Sequence, residues 1–313
     1  MNPDHLIPLR VAARRDVAND VVELRLVSTD GSALPGWEPG AHIDLVLPDG
    51  TERQYSLCGA RDAAAWTVAV LREPAGRGGS AYVHDGLAVG AAVAARVPRH
   101  HFVFDADRPA LFVAGGIGIT PLLSMIAAAE EAGLSWSLVY AGRRRTAMAY
   151  LAELEERYGD RVAAYPATER RLELAAVLDE ARAAGRTIYC CGPARLIEAV
   201  EQLSADAPAG SVRFERFVPK AVAAHEEVAF EVEVGGQLLT VPPDRSILEV
   251  CEEAGMLVLS SCREGTCGTC ETPLLEGEAD HRDSVLTPQE QADNRTLMIC
   301  VSRAISPRLV LDL

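Results

Sequence analysis

At 313 residues the chain exceeds one comfortable hydrophobic core, so two or three domains are expected. Its hydrophobic content of 49% is that of a globular protein, and its formal charge of −15 argues against a nucleic-acid partner. No apolar run is long enough to cross a membrane. Met1-Asn-Pro-Asp-His-Leu-Ile-Pro8 has no charged stretch ahead of an apolar core, so no secretory leader is read; a cytoplasmic monomer is expected. From about residue 6 to 104 the chain reads as short strands between turns. Val22, Leu24 and Leu26 share one face of a strand over 21–27. Pro35-Gly-Trp-Glu-Pro-Gly40 is a turn cluster, and His42 to Leu47 is a strand that ends at Pro48-Asp-Gly50. Arg53, Tyr55 and Ser56 follow together, and Trp66 to Leu71 is another strand. Gly76-Arg-Gly-Gly-Ser80, with Gly78, Gly79 and Ser80 at its end, leads into a short helix over 81–85. A small antiparallel β-barrel over 1–106 accommodates this spacing.

From about Pro109 strands alternate with helices, which predicts a parallel sheet in an α/β domain over 107–219. Leu111 to Ala114 is an apolar strand. Gly115-Gly116-Ile-Gly118-Ile-Thr120-Pro121 follows, and Pro121 suits the first turn of a helix that runs to Glu131. Trp136 to Tyr140 is the next strand, with Arg143-Arg-Arg145 just beyond it, and Met148 to Tyr158 reads as an amphipathic helix. Thr187 to Cys191 is a strand ending in Gly192-Pro193, followed by a helix over 194–203. Glycine turns at strand C-termini let a pyrophosphate rest on a helix N-terminus. Phe214 reads as a core residue of the last strand. Residues 221–227 read as a linker.

The third region, 227–313, opens with a hairpin: Phe230 to Val234, Gly235-Gly236, Gln237 to Val241. Ser246 and Glu249 predict a capping box for a helix stopped by Gly255. Then comes Cys262-Arg-Glu-Gly-Thr-Cys267-Gly-Thr-Cys270, a 4-then-2 spacing, with Cys300 further on in a predicted strand over 297–301. Two irons bridged by two sulfides need four thiolates, three of them on a sharply wrapped loop, and this is the plant-type ferredoxin spacing for a [2Fe–2S] cluster. Gly265 and Gly268 suit the wrap. Structural zinc usually shows two short Cys/His pairs instead. Of the 8 cysteines, Cys58, Cys190, Cys191 and Cys251 stand in apolar contexts and read as reduced, buried side chains.

Residues 228–313 resemble a plant-type ferredoxin domain throughout, an α+β fold of β-grasp type. Arg53-x-Tyr55-Ser56 resembles the flavin-binding signature of the ferredoxin–NADP⁺ reductase superfamily. Gly115-Gly-x-Gly118-x-Thr120-Pro and Cys191-Gly192-Pro193 resemble its nucleotide half. The order of barrel, nucleotide domain and ferredoxin domain resembles the phthalate dioxygenase reductase and vanillate O-demethylase oxidoreductase group over essentially the whole chain.

The resemblance implies a set of roles. Arg53 holds the flavin phosphate, Tyr55 faces the isoalloxazine or its ribityl chain, and Ser56 stands at the ring's reactive edge. Gly78, Gly79 and Ser80 close on the phosphate. Gly115, Gly116, Gly118, Thr120, Cys191, Gly192 and Pro193 form the nucleotide site, with Arg143 at the pyrophosphate, the adenine edge or a 2′-phosphate. Phe217 shields the flavin. Cys262, Cys267, Cys270 and Cys300 hold the cluster. The implied flavin is FMN and the implied donor NADH, with NADPH open because of the arginine run. Electrons would go to a terminal oxygenase, either of the Rieske type or a cytochrome P450. The competing reading is a non-catalytic ferredoxin-type carrier.

Overall fold

A computed structural model describes residues 6–61, 64–220 and 227–313; the reading made for 1–5, and for all of the 221–227 linker but Glu227, lies outside the described residues. The chain divides into two units, Met1–Glu215 and Arg216–Leu313. Among the described residues no helix is long and apolar enough to cross a membrane.

The first unit begins with β1 (Ile7–Ala18), β2 (Val21–Ser28), β3 (His42–Val46), β4 (Glu52–Ser56), β5 (Trp66–Leu71), α1 (Gly79–Gly86) and β6 (Ala92–Ala95). The six strands form one antiparallel sheet in the order β4-β3-β6-β1-β2-β5. Its two edges meet through the Leu57–Val68 bridge and Cys58 N–H donating to Thr67 O at 3.0 Å, which closes the barrel. Val22, Leu24 and Leu26 point inward and are fully buried, as their alternation predicts. The long strand β1 was not legible in the sequence. Arg14, Arg15 and Asp16 interrupt its alternation, and the strand shifts register at two irregularities, between Val11 and Ala13 and between Asp16 and Ala18.

The same unit continues as β7 (Ala110–Gly115), α2 (Ile119–Glu131), β8 (Trp136–Gly142), α3 (Leu151–Tyr158), β9 (Val162–Pro166), α4 (Leu174–Ala183), β10 (Thr187–Cys191), α5 (Ala194–Leu203) and β11 (Val212–Glu215). All five strands are parallel, in the order β11-β10-β7-β8-β9. The chain runs outward from β7 to β9, then returns to place β10 on the other side of β7. The strand order therefore reverses between β7 and β10, the place where open α/β sheets bind ligands. The predicted helix from Met148 starts instead at Leu151, because Tyr150 adopts φ 61, outside right-handed helix geometry. Tyr150 is also a joint to the barrel: its hydroxyl donates to Glu23 at 2.8 Å and lies 3.7 Å from Cys58 Sγ.

The second unit contains β12 (Phe230–Val234), β13 (Gln237–Val241), α6 (Ile247–Glu253), β14 (Glu271–Glu276), β15 (Ala279–Asp280), α7 (Pro288–Asp293), β16 (Thr296–Met298), β17 (Arg303–Ala304) and β18 (Arg308–Leu311). Its main sheet is mixed, in the order β13-β12-β18-β14-β16, with β12 and β18 parallel. The Ser246–Glu249 capping box forms as the sequence predicts. A second one, Thr287 with Glu290, starts α7 with Pro288 in its first turn. Cys300 does not sit on a strand as expected. β16 ends at Met298, and Val301 and Ser302 N–H both donate to Met298 O, at 3.1 and 2.9 Å. Cys300 is thus carried on a tight turn.

Candidate functional site

Strand β4 presents the first group of candidates. Arg53 lies against the glycine loop: its guanidinium donates to Glu52 O at 2.7 Å and to Arg77 O at 3.2 Å. A Cβ at Gly79 would stand 2.6 Å from Arg53 Nε, so the start of the helix packs directly against the arginine side chain. Gly78 has φ 84 and caps α1, while Ser80 Oγ accepts from Glu73 N–H at 3.0 Å. Arg53, Gly78, Gly79 and Ser80 are therefore one structure, a cation beside a helix N-terminus. Burial pushes the Tyr55 phenol up to about 12 against the opposing charge of Arg53. Ser56 is 4% exposed, and its buried Oγ has no partner. A buried hydroxyl normally finds one, so Ser56 is disposed to bond a ligand atom, which fits a flavin ring edge.

At the β7–β10 reversal the two glycine turns pack onto each other. A Cβ at Gly118 would meet Cys191 O at 2.3 Å, and one at Gly115 would meet Pro193 Cδ at 2.6 Å. Gly116 has φ 54, with open space where a side chain would project. These turns are not at successive strands; sheet topology alone makes them neighbours. Thr120 is buried, and its hydroxyl donates to Ile117 O at 3.0 Å, which holds the turn itself. Arg143 and Arg144 are exposed at the end of β8, whereas Arg145 is ion-paired to Glu155. Phe217 is 43% exposed and lies in the second unit. A cavity of about 680 Å³ beside Trp37, Arg61 and Glu131 holds none of the predicted residues. The chemistry-bearing groups lie along strand ends instead.

One residue here escaped the sequence reading. Glu215 pairs in register with Cys191 at the end of β11. Its chain is half-buried, but Oε2 is buried without a partner, and burial raises its carboxyl to about 8. Burial, Glu215 and Cys190 together push the Cys191 thiol well up. The only sequence signal was a carboxylate set between Phe214 and Phe217 at a strand end.

In the second unit all four candidate cysteines are buried. Gly265 and Gly268 have φ 69 and 72, as the wrap demands, and Arg263 also takes a left-handed φ of 57. The N–H groups of Glu264 and Thr266 donate to Cys262 Sγ at 3.3 and 3.4 Å. Hydrogen bonds from Cys267 and Cys300 drive the Cys262 thiol down, and one from Cys300 lowers Cys270, so thiolate is favoured at both. Among the described residues no group of three or more Cys, His, Asp or Glu gathers to hold a single ion. The sulfurs are instead neighbours in the order Cys267, Cys262, Cys300, Cys270. That suits two irons with two thiolates each better than one zinc.

Comparison with known proteins agrees with this geometry. The model of the 2Fe-2S iron-sulfur cluster binding domain matches residues 230–304, and that of the oxidoreductase NAD-binding domain matches 112–202. The putative toluene-4-sulfonate monooxygenase system reductase subunit of Comamonas testosteroni is 41% identical, over 98% of this chain and 99% of its own. Phthalate dioxygenase reductase of Burkholderia cepacia is 37% identical over 99% and 98%. A solved phthalate dioxygenase reductase superposes with a TM-score of 0.72 at 37% identity, over 99% of this chain and 98% of its own. An intact type IV self-sufficient cytochrome P450 monooxygenase superposes at 0.92 with 38% identity, but the chain spans only 41% of that longer protein while 98% of it is covered. The chain therefore belongs to the phthalate dioxygenase reductase family, as an NAD(P)H-dependent flavin and [2Fe–2S] oxidoreductase that serves as the reductase component of an oxygenase system.

Proposed function

We propose that the chain takes electrons from NADH, passes them through FMN and the cluster, and delivers them singly to a Rieske-type oxygenase acting on an aromatic acid or methyl ether. The observation that carries this is the co-occurrence, on one chain, of the Arg53–Gly79 cradle, the interlocked glycine turns and the four-thiol loop. A bound flavin supplies the conversion of a two-electron donor into single electrons, which the cluster carries onward. The rest is positioning. Arg53 and the N-terminus of α1 hold the phosphate, Tyr55 covers the flavin, and the unpartnered Ser56 hydroxyl bonds its reactive edge. Gly115, Gly116, Gly118 and Gly192 let the dinucleotide backbone approach. Domain limits of 1–106, 107–219 and 227–313 follow the same reading.

NADH is preferred over NADPH because Arg145 already pairs with Glu155, which leaves a smaller cationic grip for a 2′-phosphate. The names of two relatives, vanillate O-demethylase oxidoreductase of Pseudomonas and phthalate dioxygenase reductase, support an acceptor that acts on an aromatic acid or methyl ether. The TM-score of 0.92 with the self-sufficient cytochrome P450 supports a second reading, in which the acceptor is a haem oxygenase.

The test is direct. The purified protein should show flavin bands with a broad cluster shoulder, and heat should release FMN rather than FAD. Its kcat/KM should be higher with NADH than with NADPH. A colourless, zinc-containing protein would overturn the assignment of the loop. Coupling to candidate Rieske and haem oxygenases separates the two acceptors.

A further inference from the structure

We infer that His281 is a proton-binding site coupled to the cysteine loop, taking up one proton when the cluster gains one electron. The inference rests on the cluster reading above. His281 follows β15 with its side chain 7% exposed, and neither ring nitrogen has a hydrogen-bond partner. The Asp283 side chain is completely buried. Its Oδ2 accepts from the N–H groups of Val285 and Leu286 at 3.0 and 2.7 Å, which fixes the carboxylate. Its Oδ1 is also without a hydrogen-bond partner and lies 3.9 Å from His281 Nδ1. Three orphaned polar atoms in one buried pair is unusual, because such groups are nearly always satisfied.

The pair is built into the wall of the cysteine loop. Ser284 N–H donates to Gly265 O at 2.8 Å, and a Cβ on Gly265 would stand 3.2 Å from Asp283 Cα. Three arginines of this region already have opposite partners. Arg282 is held by Glu227 and Asp280, Arg303 by Glu227, and Arg263 by Glu252. Among the described residues His281 and Asp283 form a buried pair whose facing atoms have no hydrogen-bond partner, placed to answer a new charge. A proton on the imidazole would set a cation beside the fixed Asp283 carboxylate, 3.9 Å away. An electron arriving in the adjoining loop adds negative charge at low dielectric and tips the balance toward protonation. The balance is simple: one electron enters the cluster and one proton from solvent enters the imidazole. When the electron leaves for the acceptor, the proton returns to solvent.

The experiment is a potentiometric titration of the loaded protein at several pH values, following the paramagnetic signal of the reduced cluster so that the flavin does not interfere. In the unmodified protein the cluster potential should fall with rising pH, approaching 59 mV per pH unit, the one-electron equivalent of a tenfold change in proton concentration. His281→Gln should flatten this slope while keeping iron content and visible bands. Asp283→Asn, which removes the favourable charge, should move the sloping region to lower pH. A flat profile in the unmodified protein, or an unchanged slope in His281→Gln, overturns the inference. The unmodified profile decides even if a variant fails to assemble its cluster. Absence of iron from the unmodified protein would instead overturn the cluster reading itself.

Discussion

Single side chains carry the chemistry, and their energetics set what each substitution does. Cys267 is one of the four candidate cluster thiols and neighbours Cys262, so Cys267→Ser should lose or destabilise the cluster, because a hydroxyl is a poorer match for this iron than thiolate. Flavin reduction by NADH should survive; persistence of both cytochrome c reduction and the cluster's paramagnetic signal would count against the ligand. If Arg53 holds the flavin phosphate as proposed, Arg53→Ala removes a charge-assisted contact worth about 1.5–3 kcal/mol, and flavin affinity should fall roughly tenfold or more. That variant should emerge from gel filtration short of flavin and recover on addition of FMN. Glu215 makes a prediction about pH. Its folded carboxyl titrates at about 8 against an ordinary value of 4.5, so the folded state binds more protons across that interval. Stability must therefore fall as pH rises from 4.5 toward 8, by up to a few kcal/mol. In Glu215→Gln the decline of Tm between pH 6 and pH 8 should be smaller than in the unmodified protein.

Helices and turns place those side chains, and their ends are where sequence and structure agree best. The capping box of α6 is formed: Ser246 Oγ accepts from Glu249 N–H at 3.2 Å, and Glu249 accepts from Ser246 N–H at 2.8 Å. Leu248 N–H, at the second position of this helix, donates to Ile299 O at 3.0 Å, beside the Cys300 turn. Losing the cap should cost about 1 kcal/mol, or about 4–8 °C in Tm for a unit of this size. Differential scanning calorimetry of Ser246→Ala checks this, and an unchanged transition would show that packing alone holds α6. The misplaced elements have equally local causes. The start of α3 was misread because Tyr150 takes a left-handed conformation that its side-chain type does not favour. A tertiary bond to Glu23 accompanies it, and periodicity carries no trace of such a bond.

Across the two units together, charge has a kinetic consequence. More than half of the excess acidic residues lie from Arg216 onward, in the unit that holds the cluster. An acidic donor attracts basic acceptors over roughly a Debye length, about 10 Å at 0.1 M salt. Reduction of the basic acceptor cytochrome c should therefore slow steeply as ionic strength rises, while NADH-dependent flavin reduction changes much less. Stopped-flow traces of both steps across a salt series distinguish them. Equal salt dependence of the two would remove the steering argument.

The cysteine spacing, the glycine turns and the Arg53–Ser56 stretch were legible from residues alone. Each is a short-range pattern whose chemistry demands particular residue types at particular separations. Barrel, parallel sheet and ferredoxin unit were legible for a related reason, since strand alternation and helix periodicity are also local. Three things were decided only by tertiary structure. Gly118 meets Cys191 because β10 returns beside β7, after two intervening strands have gone the other way. Glu215 became a buried acid because its strand pairs with the one that ends at Cys191. His281 and Asp283 became an unsatisfied pair because their segment is bonded to Gly265. Burial and long-range adjacency set these last properties, and neither is written in any window of neighbouring residues.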